Sequence, residues 1–381
     1  MRLQIAGPDG AVLEEASAPL NFEDNLFSAL NVLHRLMRNG RSRSDYQPDR
    51  EFIRKIGRIQ ASLLNIAAAD GAPPVAVQDL FEKHWKTLHA TAGARATFTF
   101  DFAPQAPYTE LAELPWEYLS YQNLDLSINP ALPSDFIRKI PLAAAPSSPN
   151  PLKKGEALRI LLIISEPDPD ALRRADPALV AYRESYVYRL LRVYENLANV
   201  QIEDMDLRVL FQPRPAEIQS AQLQRKAVPF DEFLRWFQKN MVEPDSEPIR
   251  SRDNQDFQPQ VVHFMGHVRT DEREEEVLGS INDENGLVYA PYQSFVAGFA
   301  VAPPQLLLLQ SPEGVQLHKG PFSHSGLIFE LAQKRLPYIL SFQSPLREQG
   351  SLAFLRELYN HLFQAETVPA AVSAARVLLR R

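Results

Sequence analysis

Chemistry in this chain, if there is any, centres on two histidines in one stretch, Gln260-Val261-Val262-His263-Phe264-Met265-Gly266-His267. A short apolar run bounded by turn-forming residues reads as a buried strand. In an alternating α/β pattern, ligands and catalytic groups collect beyond the carboxyl ends of such strands. His267 stands there, just past Gly266 and the apolar run, and is the candidate functional residue. His263 sits inside the run and reads as a packed or paired core histidine. The other histidines form no set: His84 and His89 are not spaced one helical turn apart and have no carboxylate to complete a metal site. His318, His324 and His361 are scattered. Neither a glycine-rich dinucleotide fingerprint nor a phosphate-binding loop occurs, so a nucleotide sensor has no support and neither a cofactor nor a metal is expected.

Cysteine is absent altogether, which excludes disulfides, thiolate metal sites and a cysteine nucleophile in the chain as it stands. The 381 residues suffice for one large or two ordinary domains. Hydrophobic residues make up 45% and charged residues 23%, which is ordinary for a globular protein. A net charge of −7 argues against a nucleic-acid surface. No apolar run is long enough to span a bilayer, and Met1–Ile5 lacks the start of a signal peptide. A cytoplasmic location without membrane or nucleic-acid contact is the expectation.

The elements that must position His267 follow from periodicity. Leu3–Ile5 and Ala11–Leu13 flank Gly7-Pro8-Asp9-Gly10, a hairpin signal. Helical spacing is read over Asn25–Met37, Asp49–Ala68 and Val77–His89, a helical N-terminal lead-in. Ala96–Phe102 alternates strictly, as a half-buried strand does. Leu114-Pro115-Trp116-Glu117-Tyr118-Leu119 reads as a buried aromatic turn in which Glu117 could pair with an arginine. The stretch Leu142–Glu156, rich in Pro, Ser, Ala and Lys, is the best boundary in the chain. It divides an N-terminal helical/β subdomain (1–150) from a core (151–381).

Beyond that linker, Leu158–Ile164 is apolar without alternation, which suits a strand covered on both faces. Helix is expected at Tyr182–Leu197, strand at Val200–Leu210, helix at Asp231–Met241 and strand up to His267. The charged run Arg269–Glu276 reads as a solvated loop. Leu278–Tyr289 reads as a hairpin turning at Asn282–Gly286, and Pro291–Phe299 as a short helix. Strands follow at Gln305–Leu309 and Tyr338–Phe342, and helices at Phe322–Lys334, Glu348–Phe363 and Val368–Leu379. The alternation predicts a mostly parallel sheet with helices on both faces.

Several of these segments together resemble the CHAT domains, a branch of the caspase-like (clan CD) cysteine peptidases. Leu114–Leu119 looks like that family's LPWE segment, and Val262–His267 like its HFAGHG strand. Gln305–Gly314 stands where the family has an apolar strand running into SACETG. Ser325–Leu327 and Leu336–Leu340 are similar to the next helix, turn and core strand, and Val368–Arg376 to the closing A-x-x-A-R helix. The match spans residues 95 to 381.

The resemblance implies a caspase-like fold in which a Cys thiolate attacks a peptide carbonyl. A histidine on the neighbouring strand end relays the proton, and backbone N–H groups hold the oxyanion. It places the histidine at His267 and the nucleophile at Ser311 or Pro312, neither of which is cysteine. Val268 follows where the family has Gly and restricts the backbone, and Pro312 removes an N–H. These departures favour a natural pseudopeptidase. Two alternatives stay open: a cysteine endopeptidase whose nucleophile has been substituted, and Ser311 acting as a serine nucleophile with His267.

Caspase-like sheets bind extended peptides. The expected partner is therefore a protein or a polypeptide substrate, with a TPR protein, a sensor or a protease subunit of a bacterial defence or signalling assembly as the class. Arg269–Glu276 and Glu243–Asp256 offer charged surface, or are plain solvated loops.

Overall fold

The computed structural model describes residues 2–9, 11–17, 85–101, 116–121, 134–139, 156–165, 205–212, 259–266, 268–270, 276–281, 287–291, 303–310, 336–342, 348–364 and 366–379, with further positions within 54–60, 124–127, 189–197, 227–228 and 328–332. The chain forms two compact units, one of Met1–Pro141 with Pro369–Arg381, the other of Leu142–Val368.

In the first unit, β1 (Arg2–Ala6) and β2 (Val12–Ser17) form the hairpin expected from Gly7–Gly10. The Gly7 N–H donates to the Ala11 carbonyl at 2.8 Å, and the Ala11 N–H to Asp9 Oδ1 at 3.0 Å. The hairpin does not stand alone, because β1 also pairs antiparallel with β3 (Arg95–Asp101). Strict alternation holds in β3: Ala96, Phe98 and Phe100 are buried, and the residues between them are partly open. Trp116 opens a single turn of 3-10 helix and stacks on Phe100 at 4.4 Å. A two-residue pair, β4 (Ser120–Tyr121) and β5 (Leu124–Asp125), follows.

Strand β6 (Ser134–Lys139) then runs parallel to β3 and completes the order β2-β1-β3-β6. Nothing in the periodicity announces it. Phe136 stacks on Phe98 at 5.0 Å, but Asp135 and Arg138 break any apolar pattern. Each charge is answered by a partner distant in sequence. Arg95 Nη1 donates to Asp135 Oδ1 at 2.9 Å.

The last helix binds to this unit, although the sequence groups it with the 151–381 core. The chain's helix Val368–Leu378 sends Ser373 Oγ to the Ser134 carbonyl at 3.0 Å, and Arg376 Nη2 to Glu117 Oε1 at 3.2 Å. Arg138 holds the same carboxylate from a second side, with Nη1 donating to Oε1 at 2.6 Å and Nη2 to Oε2. The side chains of Glu117, Arg138 and Arg376 are 19%, 18% and 17% exposed, so water screens the triad only in part.

In the second unit the strands in chain order are β7 (Leu158–Ser165), β8 (Met205–Gln212), β9 (Ala227–Val228), β10 (Val261–Gly266), β11 (Val268–Thr270), β12 (Glu276–Ile281), β13 (Leu287–Pro291), β14 (Leu306–Gln310) and β15 (Tyr338–Ser341). Six of them form one sheet in the order β15-β14-β10-β7-β8-β9, with every pair parallel. This is the expected α/β class with a parallel sheet. All six residues of β10 and all five of β14 are buried, so both faces of the sheet centre are covered. Edge strand β15 is only half buried.

Helical positions at 189–197 and helix α1 (Glu348–Phe363) bring buried Leu190, Tyr194, Leu197, Phe354, Leu355, Leu358 and Tyr359 to this core. Helix Val368–Leu378 is α2. At the amino ends of the strands Gln260 acts as a staple. Its N–H donates to the Arg159 carbonyl at 2.9 Å, its Oε1 accepts from the Arg159 N–H at 3.1 Å, and its carbonyl accepts from Gln305 N–H at 2.9 Å.

The charged run after His267 is not a plain loop. Arg269 pairs with Val277 and Thr270 with Glu276, placing parts of the run in an antiparallel β11-β12-β13 sheet. Backbone pairing makes no demand for apolar side chains, so charge concealed the strand. The hairpin expected at Leu278–Tyr289 is present as β12 and β13. The helices expected at Asn25–Met37 and Asp231–Met241, the short helix after Pro291 and the segment Glu243–Asp256 lie outside the described residues, as does most of Asp49–Ala68. Among the described residues no helix is long and apolar enough to cross a membrane.

Burial by itself would raise the pKa of Glu117, but the charges of Arg138 and Arg376 and the Arg138 hydrogen bonds reverse this and hold it at about 2, against an ordinary 4.5. A depressed carboxylate contributes stability that is present above the unfolded value and lost as the pH falls through the folded one. A shift of this size corresponds to about 3 kcal/mol. Asp135 moves the other way, because its burial outweighs Arg95, Ser373 and Arg376 together. Glu117→Gln is therefore expected to lower stability at pH 7 by about 3 kcal/mol in urea unfolding. It should also remove the wild-type loss of stability between pH 4.5 and 2. Equal unfolding midpoints at pH 7 would contradict the triad's role.

Candidate functional site

Strands β10 and β14 are hydrogen-bonded neighbours, in register from Val261↔Leu306 to Met265↔Gln310. They end within one residue of each other, β10 at Gly266 and β14 at Gln310, which faces Met265. His267 follows Gly266 directly, and Ser311 and Pro312 follow Gln310. In sequence, the candidate residues thus come directly after the carboxyl ends of two adjacent strands. His267, Ser311 and Pro312 themselves lie outside the described residues, as do His318 and His324.

One layer below those ends, the sheet holds a sealed polar chain. His263 is 0% exposed. Its Nε2 lies 2.9 Å from Gln310 Oε1, and its Nδ1 lies 2.6 Å from the Tyr194 hydroxyl. The Tyr194 hydroxyl lies 2.7 Å from that of Tyr359, and the two rings meet edge to face. An amide oxygen only accepts, so His263 Nε2 carries the proton and donates to Gln310. Nδ1 is then an acceptor, filled by the Tyr194 hydroxyl, whose oxygen in turn accepts from Tyr359. The chain runs one way, from helix α1 through the 189–197 helix and β10 to the last residue of β14.

The surroundings match that assignment. Burial pushes the His263 pKa down to about 4, and the Gln310 bond offsets this only in part. Burial likewise pushes the Tyr359 hydroxyl up. Both groups are neutral at pH 7, and a neutral imidazole is what allows Nδ1 to accept. His263 is the packed, paired core residue that its place in an apolar run implies. It is closed to substrate, so catalysis is not its role.

The sequence did not reveal its partners. Tyr194 follows Leu190 by one helical turn and Tyr359 lies among the apolar positions of α1. Each reads as one more buried aromatic until the fold brings their hydroxyls together. An aromatic with a hydroxyl on the buried side of a helix, in a chain with a histidine inside a strand, is the only local hint.

His361 is placed differently, at the end of α1. Its Nδ1 is 2.9 Å from Glu366 Oε1 and its Nε2 is 3.3 Å from Glu357 Oε1, which makes it a helix-end clamp. His89 Nδ1 lies 3.0 Å from the Trp85 carbonyl, a local bond on an exposed helix turn. Among the described residues no group of His, Asp and Glu is arranged to hold a metal ion. No model of a known protein family matches the chain, and no curated protein matches it.

A base whose folded pKa is depressed stabilises the fold above its unfolded value, and that contribution is lost as the pH falls through the folded one. For His263 the window runs from 6.5 down to about 4. Over that interval the wild type is expected to lose about 3 kcal/mol more than a His263→Gln variant, in which the group cannot titrate. Parallel stability–pH curves for the two proteins would show that the buried imidazole is not the titrating group.

Proposed function

We propose that the chain is a catalytically inactive caspase-like (CHAT) pseudopeptidase that acts as a protein-binding or regulatory subunit, within a bacterial defence or signalling assembly. The observation that carries this reading is a mismatch. Two adjacent parallel strands end within one residue of each other where the resemblance puts a His–Cys pair, and the chain contains no cysteine. A thiol reaches its nucleophilic thiolate near neutral pH, whereas a serine hydroxyl depends wholly on a well-placed base. Val268 and Pro312 add two further departures at the same place. A second observation supports the kinship: Glu117 of the LPWE-like turn and Arg376 of the A-x-x-A-R-like helix form an ion pair. Two segments that carry the resemblance are thereby tied to each other.

In this reading the strand ends and the loops leaving them recognise an extended polypeptide without cutting it. His267 occupies the former catalytic-base place without being needed for binding, Ser311 and Pro312 occupy the vacated nucleophile place, and no cofactor is involved. The partner class is a protein, such as a TPR protein, a sensor or an active protease subunit.

The test is a peptidase assay on the wild type, Ser311→Cys and Pro312→Cys, with a mixed peptide library, alongside affinity capture from bacterial lysate. No form is expected to cleave. The wild type and His267→Ala are expected to retain the same protein in similar yield. Cleavage by a Cys form that is lost with His267→Ala would reverse the conclusion in favour of a cysteine endopeptidase with a substituted nucleophile. Cleavage by the wild type that is lost with Ser311→Ala would reveal a serine enzyme.

A further inference from the structure

We propose that helix α1 holds the carboxyl end of β14 through the buried relay, so that Tyr359, Tyr194 and His263 are positioning residues for the strand end that leads into Ser311 and Pro312. The functional meaning of that end rests on the reading given above; the relay rests on geometry alone.

The relay meets β14 at its last residue. Along most of its length β14 is held from both sides, by β10 and by β15. Pairing with β15 stops at Leu309↔Ser341, while pairing with β10 continues to Met265↔Gln310. Gln310 therefore projects one residue past the strand that flanks it on the outer side. Its side chain takes up the restraint by accepting from His263 Nε2 at 2.9 Å.

The other end of the relay is firmly seated. Phe354, Leu355, Leu358 and Leu362 of α1 are all buried around Tyr359. The helix is closed at its end by His361, whose ring faces Glu357 and Glu366 and whose carbonyl accepts from the Gln364 and Glu366 N–H groups at 3.1 and 3.2 Å. Tyr194, His263 and Tyr359 are each 0% exposed and Gln310 only 7%, so water is poorly placed to substitute for a missing member. An interrupted buried chain leaves an unmet donor or acceptor, and the looser of its two ends gives way first. Here that end is the last residue of β14.

The experiment is residue-resolved amide hydrogen exchange on the full chain, comparing the wild type, Tyr359→Phe, Gln310→Leu and the double variant. Tyr359→Phe keeps the ring and removes only the hydroxyl. It is expected to speed exchange at Leu309 and Gln310 about tenfold and to leave Leu306 and Leu307, on the same strand, within about twofold. Gln310→Leu should loosen the same end, and adding Tyr359→Phe to it should change nothing further, because the relay is already cut. Nitrogen shifts of His263 should show the proton on Nε2 in the wild type.

Unchanged exchange in Tyr359→Phe, a uniform rise along β14, additive effects in the double variant, or a proton on Nδ1 would each overturn the proposal. The exchange readout involves no partner. A chain that shows the expected pattern but captures no polypeptide keeps the relay and loses the functional reading.

Discussion

A neutral imidazole sealed inside a parallel sheet is the constraint around which the second unit is built. An isolated buried polar group costs about 1–3 kcal/mol when a partner is missing. His263 has two ring nitrogens to satisfy and lies between faces that are otherwise apolar. The fold meets both needs with side chains from three other elements: Gln310 from β14, Tyr194 from the 189–197 helix and, behind it, Tyr359 from α1. Each partner is useful only in one rotamer and at one register. A one-residue slip of β14 against β10 would turn Gln310 to the other face and leave Nε2 unmatched. The polar chain thus selects a register that uniform leucines at 306–309 would specify poorly by themselves.

The first unit solves a similar problem with charge. Glu117 is sheltered on a turn beside Trp116, and two guanidiniums keep it ionised. His263 is kept neutral where Glu117 is kept charged, and the difference lies in the partners available. A carboxylate beside two arginines gains more from Coulomb attraction than it loses by desolvation. An imidazole among hydroxyls and an amide has no counter-charge, so desolvation decides. Asp135 falls between them: Arg95, with smaller help from Ser373 and Arg376, does not offset its burial. Glu117 and His263 both lose their contribution on acidification, His263 at the higher pH and Glu117 at the lower.

These features bear on function through position. The relay ends at Gln310, the residue before Ser311, and β10 ends at Gly266, the residue before His267. A sheet that spends a buried polar network on the level of its strand ends maintains the geometry of that rim. The chain has no cysteine to place at that rim. That combination is in keeping with the recognition without turnover proposed above.

Much of the architecture was legible in the residues themselves. The apolar runs at Leu158–Ile164, Val261–Met265 and Leu306–Leu309, interrupted only by Arg159 and His263, pointed to strands buried on both faces, and the alternation at Ala96–Phe100 to one open face. Gly7–Gly10 marked a turn, and the periodicity of Glu348–Phe363 marked a helix. In each case the signal is local, set by which side chains can leave water together. The absence of a thiol was equally plain.

What the tertiary structure alone decided is pairing between residues far apart in sequence. Charged Asp135 and Arg138 obscured β6 until Arg95, Glu117 and α2 were brought to them. The charged run after His267 concealed strand pairing that the backbone makes regardless of side chain. The closing helix reads in sequence as the end of the second domain, yet Arg376 and Ser373 bind Glu117 and Ser134 in the first. His263 could be recognised as a core histidine from its neighbours, but not the tyrosines and glutamine that make it tolerable there. Hydrogen bonds and ion pairs are directional and short-ranged, and their partners are separated by 21 to 259 residues. No local pattern records such a meeting, which exists only once the chain has folded.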